Sequence, residues 1–237
     1  YQCLYISFIG LKILIEMEKG QLVFDLANIE NFNPDDFFIS ESNTQVSSLL
    51  KETEKWYNGS ASILGMSKSG KTHLLNIWSS YNNAALFNCD EINDWNSITS
   101  NKNIAIDNFH LLKSDDEQEF LQFYNKLVMN KSKILVAIDP SINKKIALKD
   151  LASRVNSFTS ARINDLDDKL LRVLIIKYFS NAQIIIDKIV IEFIVNRTER
   201  DYLYLFSLLE TLNYESLKSK NKITIPFVKK FLTSEKF

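Results

Sequence analysis

The sequence predicts an α/β domain, a parallel sheet flanked by helices, followed by a small all-α domain. Three observations carry that reading. Short apolar runs alternate with helical spacings through the first two-thirds of the chain. A glycine-rich loop joins one such run to a helix. Beyond about Ile163 the strand-like runs stop and only helical patterns remain. The 237 residues, 46% hydrophobic and 24% charged, can bury a core of their own. That balance excludes a disordered chain, a coiled coil and a collagen-like fibre.

The elements follow in order. Residues 1–16 are apolar and lack Met; the first Met is Met17. The stretch is too short for a membrane span, and Lys12 interrupts it. It also lacks a signal-peptide pattern. We read it as an upstream or artefactual segment, with a packed element or a membrane-associated one as alternatives. Residues 17–40 are irregular, with a turn at Asn33-Pro34-Asp35-Asp36. A helix is expected after Ser42-Asn43, capped by Asn43 and burying Val46, Leu49 and Leu50. Strands are expected at Ala61–Leu64, Ala84–Asn88, Ile104–Asp107 and Ile134–Ile138. Helices are expected at His73–Ser80 and Glu117–Met129. The later helices are Asp167–Phe179, Ile189–Val195, Asp201–Leu212 and Pro226–Leu232, the last with Pro at its first position. The domain reading is 41–162 for the α/β part and 163–237 for the helical part.

The net charge of −1 argues against a strongly basic nucleic-acid binder. Lys218, Lys220, Lys222, Lys229 and Lys230 make a modest basic cluster, read as a solvated helix face. Two cysteines, Cys3 and Cys89, form no disulfide framework. With two histidines, His73 and His110, a zinc site is not expected. Both facts fit a reducing cytosol and a cytoplasmic location.

Gly65-Met66-Ser67-Lys68-Ser69-Gly70-Lys71-Thr72 fits G-x-x-x-x-G-K-[ST], with an apolar strand before it and a helix after it. The glycines let backbone N–H groups turn inward and form an anion nest. The helix N-terminus adds a partial positive charge. Gly65, Ser69 and Gly70 belong to that cradle. Lys71 is expected to reach the β- and γ-phosphates of ATP or ADP, and the Thr72 hydroxyl to coordinate Mg²⁺. Asp107, ending a core strand, is the expected water-mediated Mg²⁺ partner. An Asp-Asn turn is the alternative account of that residue, and the neighbouring phosphate loop favours the Mg²⁺ role. Asn108 follows where a second acid would polarise water. Asn takes no proton, so the chain's own hydrolysis is expected to be weak.

These segments together resemble the AAA+ domain of DnaA-related proteins, the Hda-type regulators most closely. The resemblance runs from about Gln21 to Leu232. It implies an AAA+ P-loop NTPase fold with a helical lid. Gln21-Leu22-Val23-Phe24-Asp25-Leu26 resembles the family's sliding-clamp-binding hexapeptide: Gln21 a polar anchor, Leu22, Phe24 and Leu26 the apolar contacts. Packing against the core is the alternative. Phe37–Asn43 resembles the family's lead-in segment near the adenine, with core packing an equal account. Asp139, after Ala137-Ile138, occupies the sensor-1 place, where a strand-exit turn before Pro140 is the alternative. Lys149-Asp150-Leu151-Ala152-Ser153-Arg154 resembles the family's Leu-x-Ser-Arg box. Arg154 is then an arginine finger acting in trans, or else a surface ion pair with Asp150. The sensor-2 place falls on Leu203, and Arg200, one turn earlier, is the candidate substitute.

The resemblance implies a nucleotide-binding regulator of replication initiation. Its partners would be DnaA and the polymerase sliding clamp, its effect negative regulation through stimulated DnaA ATP hydrolysis. Direct sequence-specific DNA binding is not expected, nor is a membrane; a homo-oligomer is left open. The alternatives are an autonomous AAA+ ATPase acting as a loader, and a degenerate DnaA-like adaptor without nucleotide.

Overall fold

The computed structural model describes residues 38–142 and 145–232. The segment 1–16, Met17, the Gln21–Leu26 motif and Phe37 lie outside the described residues. The chain enters at Phe38 and forms α1 (Thr44–Lys51), β1 (Ser60–Leu64), α2 (Lys71–Asn82) and β2 (Ala85–Asn88). Then come β3 (Ile104–Asp107), α3 (Glu117–Met129), β4 (Ile134–Ile138), α4 (Lys149–Asn156) and β5 (Thr159–Arg162). Four helices follow: α5 (Asp168–Asn181), α6 (Lys188–Val195), α7 (Tyr202–Ser219) and α8 (Ile225–Leu232).

The five strands form one parallel sheet in the order β2-β3-β4-β1-β5. Successive side chains point to opposite faces, so the central strands β3 and β4 feed two cores. Ala61, Ile63, Ala105, Leu135, Ala137 and Ala161 pack on one face against Leu74, Leu75 and Trp78 of α2. Ile104, Ile106, Ile134 and Val136 pack on the other, with Phe120, Tyr124 and Leu127 of α3 and Leu151 of α4. The first core continues into the helical part through Ile163, Leu166, Leu170 and Ile175. Parallel strands buried on both faces read as near-continuous apolar runs, which is why β3 and β4 were recognisable as runs.

Topology places the site. β1 lies between β4 and β5, and β3 lies on the far side of β4. The carboxyl ends of β1, β3 and β4 therefore open onto one edge. In an open α/β sheet that edge is where ligands bind.

Three local expectations differ from the structure. Asn43 stands before α1 but makes no side-chain bond to its N–H groups. Its amide instead accepts from Ser40 N–H (3.0 Å) and donates to Phe38 O (2.9 Å). A buried amide satisfied by the lead-in segment has no reach left for the helix. The second difference is β5 with its preceding helix α4. Thr159–Arg162 carries one buried apolar residue, Ala161, too little for an apolar run. The third is α8, which begins at Ile225, one residue before Pro226.

Candidate functional site

The loop after β1 is built by two close approaches. Gly65 N–H donates to Ile138 O (3.1 Å), and Ile163 N–H donates to Leu64 O (2.7 Å). A Cβ on Gly65 would lie 2.6 Å from Ser69 Oγ and 3.3 Å from Ile163 Cβ. No other residue type fits there without a shift. Gly70 precedes α2 at φ +94°, a left-handed conformation natural to glycine. The first helical bond of α2 runs from Leu74 N–H to Gly70 O (3.1 Å). The Lys71 and Thr72 N–H groups thus lie ahead of the helical ladder, at its positive end. Ser69 Oγ is buried in this loop without a hydrogen-bond partner among the described residues.

Four sequence-predicted residues converge here. The Lys71 ammonium donates to Gly65 O and Met66 O (both 2.8 Å) and lies 4.0 Å from Asp139 Oδ2. Thr72 Oγ1 donates to Asp107 Oδ2 at 2.5 Å, a short charge-assisted bond. Asp107 Oδ1 accepts from Asn108 N–H (2.8 Å). Lys71, Asp107 and Asp139 are all buried. Burial pushes the Lys71 ammonium below its ordinary range, and Asp139 and Asp107 pull it back up only in part. Burial alone would raise Asp139. The Ser141 hydroxyl (2.6 Å) and N–H (3.0 Å) outweigh it with help from Lys71 and His110, and the carboxyl is held low. His110 Nδ1 accepts from Asp139 N–H (3.2 Å), fixing the loop that carries this carboxylate.

A hydroxyl and a carboxylate of hard oxygens suit Mg²⁺, which keeps waters and takes phosphate oxygens. Among the described residues no cluster of three His, Cys, Asp or Glu side chains could hold a metal by itself. Mg²⁺ would therefore share its ligands with a bound phosphate. Asn108 has φ +52°, and its side chain donates to Asn88 Oδ1 (3.0 Å). It presents no carboxylate to a water.

Two predicted residues stand outside the cluster. Arg154 lies on α4, its Nε 3.4 Å from Asp150 Oδ1 and its guanidinium 6.0 Å from the centre of the Tyr124 ring. Arg200 precedes α7. Its Nη1 donates to Val195 O (2.8 Å) and its Nη2 pairs with Asp168 Oδ1 (2.7 Å). That guanidinium joins the end of α6 to the start of α5.

Residues 167–232 match the model of the Hda lid domain. An uncharacterized protein of Haemophilus influenzae is 28% identical over 224 residues, 88% of this chain and 94% of that one. Domain III of the Thermotoga maritima replication initiation protein DnaA superposes with a TM-score of 0.68 at 13% identity, over 87% of this chain and 97% of that. A replication initiator DnaA bound to AMPPCP and single-stranded DNA superposes with a TM-score of 0.60 at 18% identity, over 81% and 69%. The C-terminal part of the chain carries a lid domain of the Hda family, and the chain shares its fold with DnaA domain III. The matched stretch spans α5 to α8, so these helices are its lid domain.

Leu203, which the resemblance puts at the sensor-2 place, is the second residue of α7 and is exposed. The lead-in segment meets the lid at its root. Asp167 caps α5 by accepting from Leu170 N–H (2.8 Å) and also accepts from Ser42 N–H (3.2 Å). Nearby, burial pushes the Tyr202 hydroxyl up to about 12. Phe38 and Ile39 are exposed. Sequence reasoning missed Ser141, His110 and Lys68. An Asp two residues before a Ser, as in Asp139-Pro140-Ser141, was an available turn signal. His110 and Lys68 act through partners distant in sequence.

Proposed function

We propose that this chain is a nucleotide-binding regulator of replication initiation that stimulates ATP hydrolysis by DnaA. The observation that carries it is the pairing of the Lys71–Thr72–Asp107–Asp139 cluster with a lid of the Hda family. Residues 41–162 are the nucleotide-binding domain and 163–237 the lid. ATP or ADP occupies the loop, with Gly65, Ser69 and Gly70 forming its wall and Lys71 exchanging two carbonyls for phosphate oxygens. Thr72 and Asp107 hold Mg²⁺, which offsets phosphate charge when bound. Asp139 fixes Lys71 from the other side.

Regulation runs through Arg154. On α4 its only ionic partner among the described residues is Asp150, one turn away, which is a weak and easily exchanged pair. A guanidinium so placed is available to a partner's phosphates, where an arginine finger is worth about 10³–10⁵ in rate. Gln21–Leu26 tethers the assembly to the sliding clamp and raises the local concentration without new contacts between the AAA+ modules. Asn108 disfavours an autonomous ATPase.

The test measures hydrolysis of DnaA-bound ATP on clamp-loaded DNA. Wild type is expected to stimulate it, Arg154→Ala to leave it at the basal rate with nucleotide binding unchanged. Full stimulation by Arg154→Ala would sink the finger assignment. No stimulation by wild type with nucleotide binding intact would sink the DnaA reading.

A further inference from the structure

We propose that Lys68 and Glu210 form a latch between the phosphate loop and the lid. Lys68 Nζ lies 2.9 Å from Glu210 Oε1, across 142 positions of sequence, and 5.8 Å from the centre of the Phe206 ring. Both partners reach the ammonium from one face of α7. Leu203, Phe206 and Glu210 stand at i, i+3 and i+7 of that helix. The other face is locked into the lid core by Leu205, Leu208, Leu209 and Leu212, all fully buried. A pull on Glu210 is thus a pull on the lid.

The Lys68 backbone supports the same reading. Its φ is +61°, left-handed, and it is the one non-glycine residue of the Gly65–Thr72 loop in that region. The conformation is costly for a side chain bearing Cβ. Lysine stands where glycine would be relaxed, and what the lysine adds is reach to Glu210 and Phe206. At Leu203 the helix offers no charge toward the phosphate loop; one turn on and two turns on, Phe206 and Glu210 receive a charge from the loop instead. In this ion pair the cation sits on the loop and the anion on the lid. Lys68 is therefore a positioning residue. It holds the lid over the loop and keeps the loop in shape.

The pair is partly exposed, with side-chain exposures of 39% and 58%, so the effect is modest and salt-sensitive. The measurement is amide hydrogen exchange, followed by mass spectrometry, in peptides covering the phosphate loop and α7 of the full chain without nucleotide. Lys68→Met and Glu210→Gln are each expected to speed exchange there about 2–5-fold. The double variant should add nothing further. The charge-swapped pair Lys68→Glu with Glu210→Lys should restore protection. Additive single effects, a swap that fails to restore protection, or wild-type exchange in both single variants would overturn the latch. In a second arm, calorimetry with Mg²⁺-ADP compares wild type and Glu210→Gln, which leaves every loop residue intact. The latch rests on the nucleotide reading only for this arm: weaker binding is expected, and unchanged affinity would limit the pair to holding the lid. No binding by wild type would sink the nucleotide reading while the exchange result still decides the latch.

Discussion

Lys71 and Arg154 are the two cations on which the proposed function rests, and they are held in opposite ways. Lys71 is buried, bonded to two carbonyls, and faced by Asp139 and Asp107. Arg154 is half-exposed with a single ion pair among the described residues, at 3.4 Å. A preorganised cation serves a ligand this chain binds itself, because fixed dipoles need no rearrangement when phosphate arrives. A loosely held cation serves a surface not yet present. Burying it beforehand would cost desolvation, and a strong internal partner would compete with the outside one. The contrast predicts different failures. Loss of Lys71 removes what the chain binds, and loss of Arg154 removes what it does to others.

The largest expected effect is on the exposed side. Arg154→Ala should abolish stimulation of the partner's hydrolysis, a loss on the order of 10³-fold or more, measured as DnaA-bound ATP turnover. Its thermal stability should stay within about 0.5 kcal/mol of wild type, since exposed pairs contribute little. A marked loss of stability would mean that Arg154 is structural. Lys71→Ala comes next, with nucleotide affinity down by roughly 100-fold in calorimetry, the value of two charge-assisted bonds. Retained affinity would break the comparison on the buried side. Gly65→Ala is smaller. Its new methyl collides with Ser69 Oγ and crowds Ile163, so about 1–3 kcal/mol of stability should be lost in denaturant unfolding. A neutral result would show that the loop can retreat.

The buried side of that comparison was legible in the sequence, because its parts are contiguous. Gly65–Thr72 is one stretch, and Ile104–Asp107 and Ile134–Ile138 are apolar runs whose ends supply Asp107 and Asp139. A parallel sheet then brings the run ends to one edge without further information. β5 was illegible because Thr159–Arg162 borrows its burial from β1 through Ser62 and Ser160, whose hydroxyls meet at 2.8 Å. Hydroxyl pairs leave no hydrophobic signature. The His110 and Lys68 contacts were illegible for another reason. The first depends on two loops meeting and the second on a loop meeting α7, tertiary facts that no local spacing encodes. Arg200 shows the reverse case, in which a residue chosen for its position is placed by Asp168 and Val195 at the lid's own joints.

The smallest effect separates the two members of the buried pair by sign. Asp139 is held below its ordinary 3.8, so the stability it contributes is present above about pH 4. It fades as pH falls through the lower folded-state value. Lys71 is held below its ordinary 10.5. Its unfolded form binds more protons in that alkaline window, so stability there should rise with pH. Urea unfolding of wild type and Asp139→Asn should therefore converge on the acid side, while wild type and Lys71→Met should diverge in favour of wild type as pH climbs toward 10.5. Asp167, also held low but at the root of the lid, gives the control: Asp167→Asn should flatten the acid limb and leave the alkaline one unchanged. An alkaline limb that bends the other way would mean that Lys71 gains more from its carboxylates than it loses to burial. The buried cation would then be a stabilised ion pair, and the contrast with Arg154 would be one of strength alone.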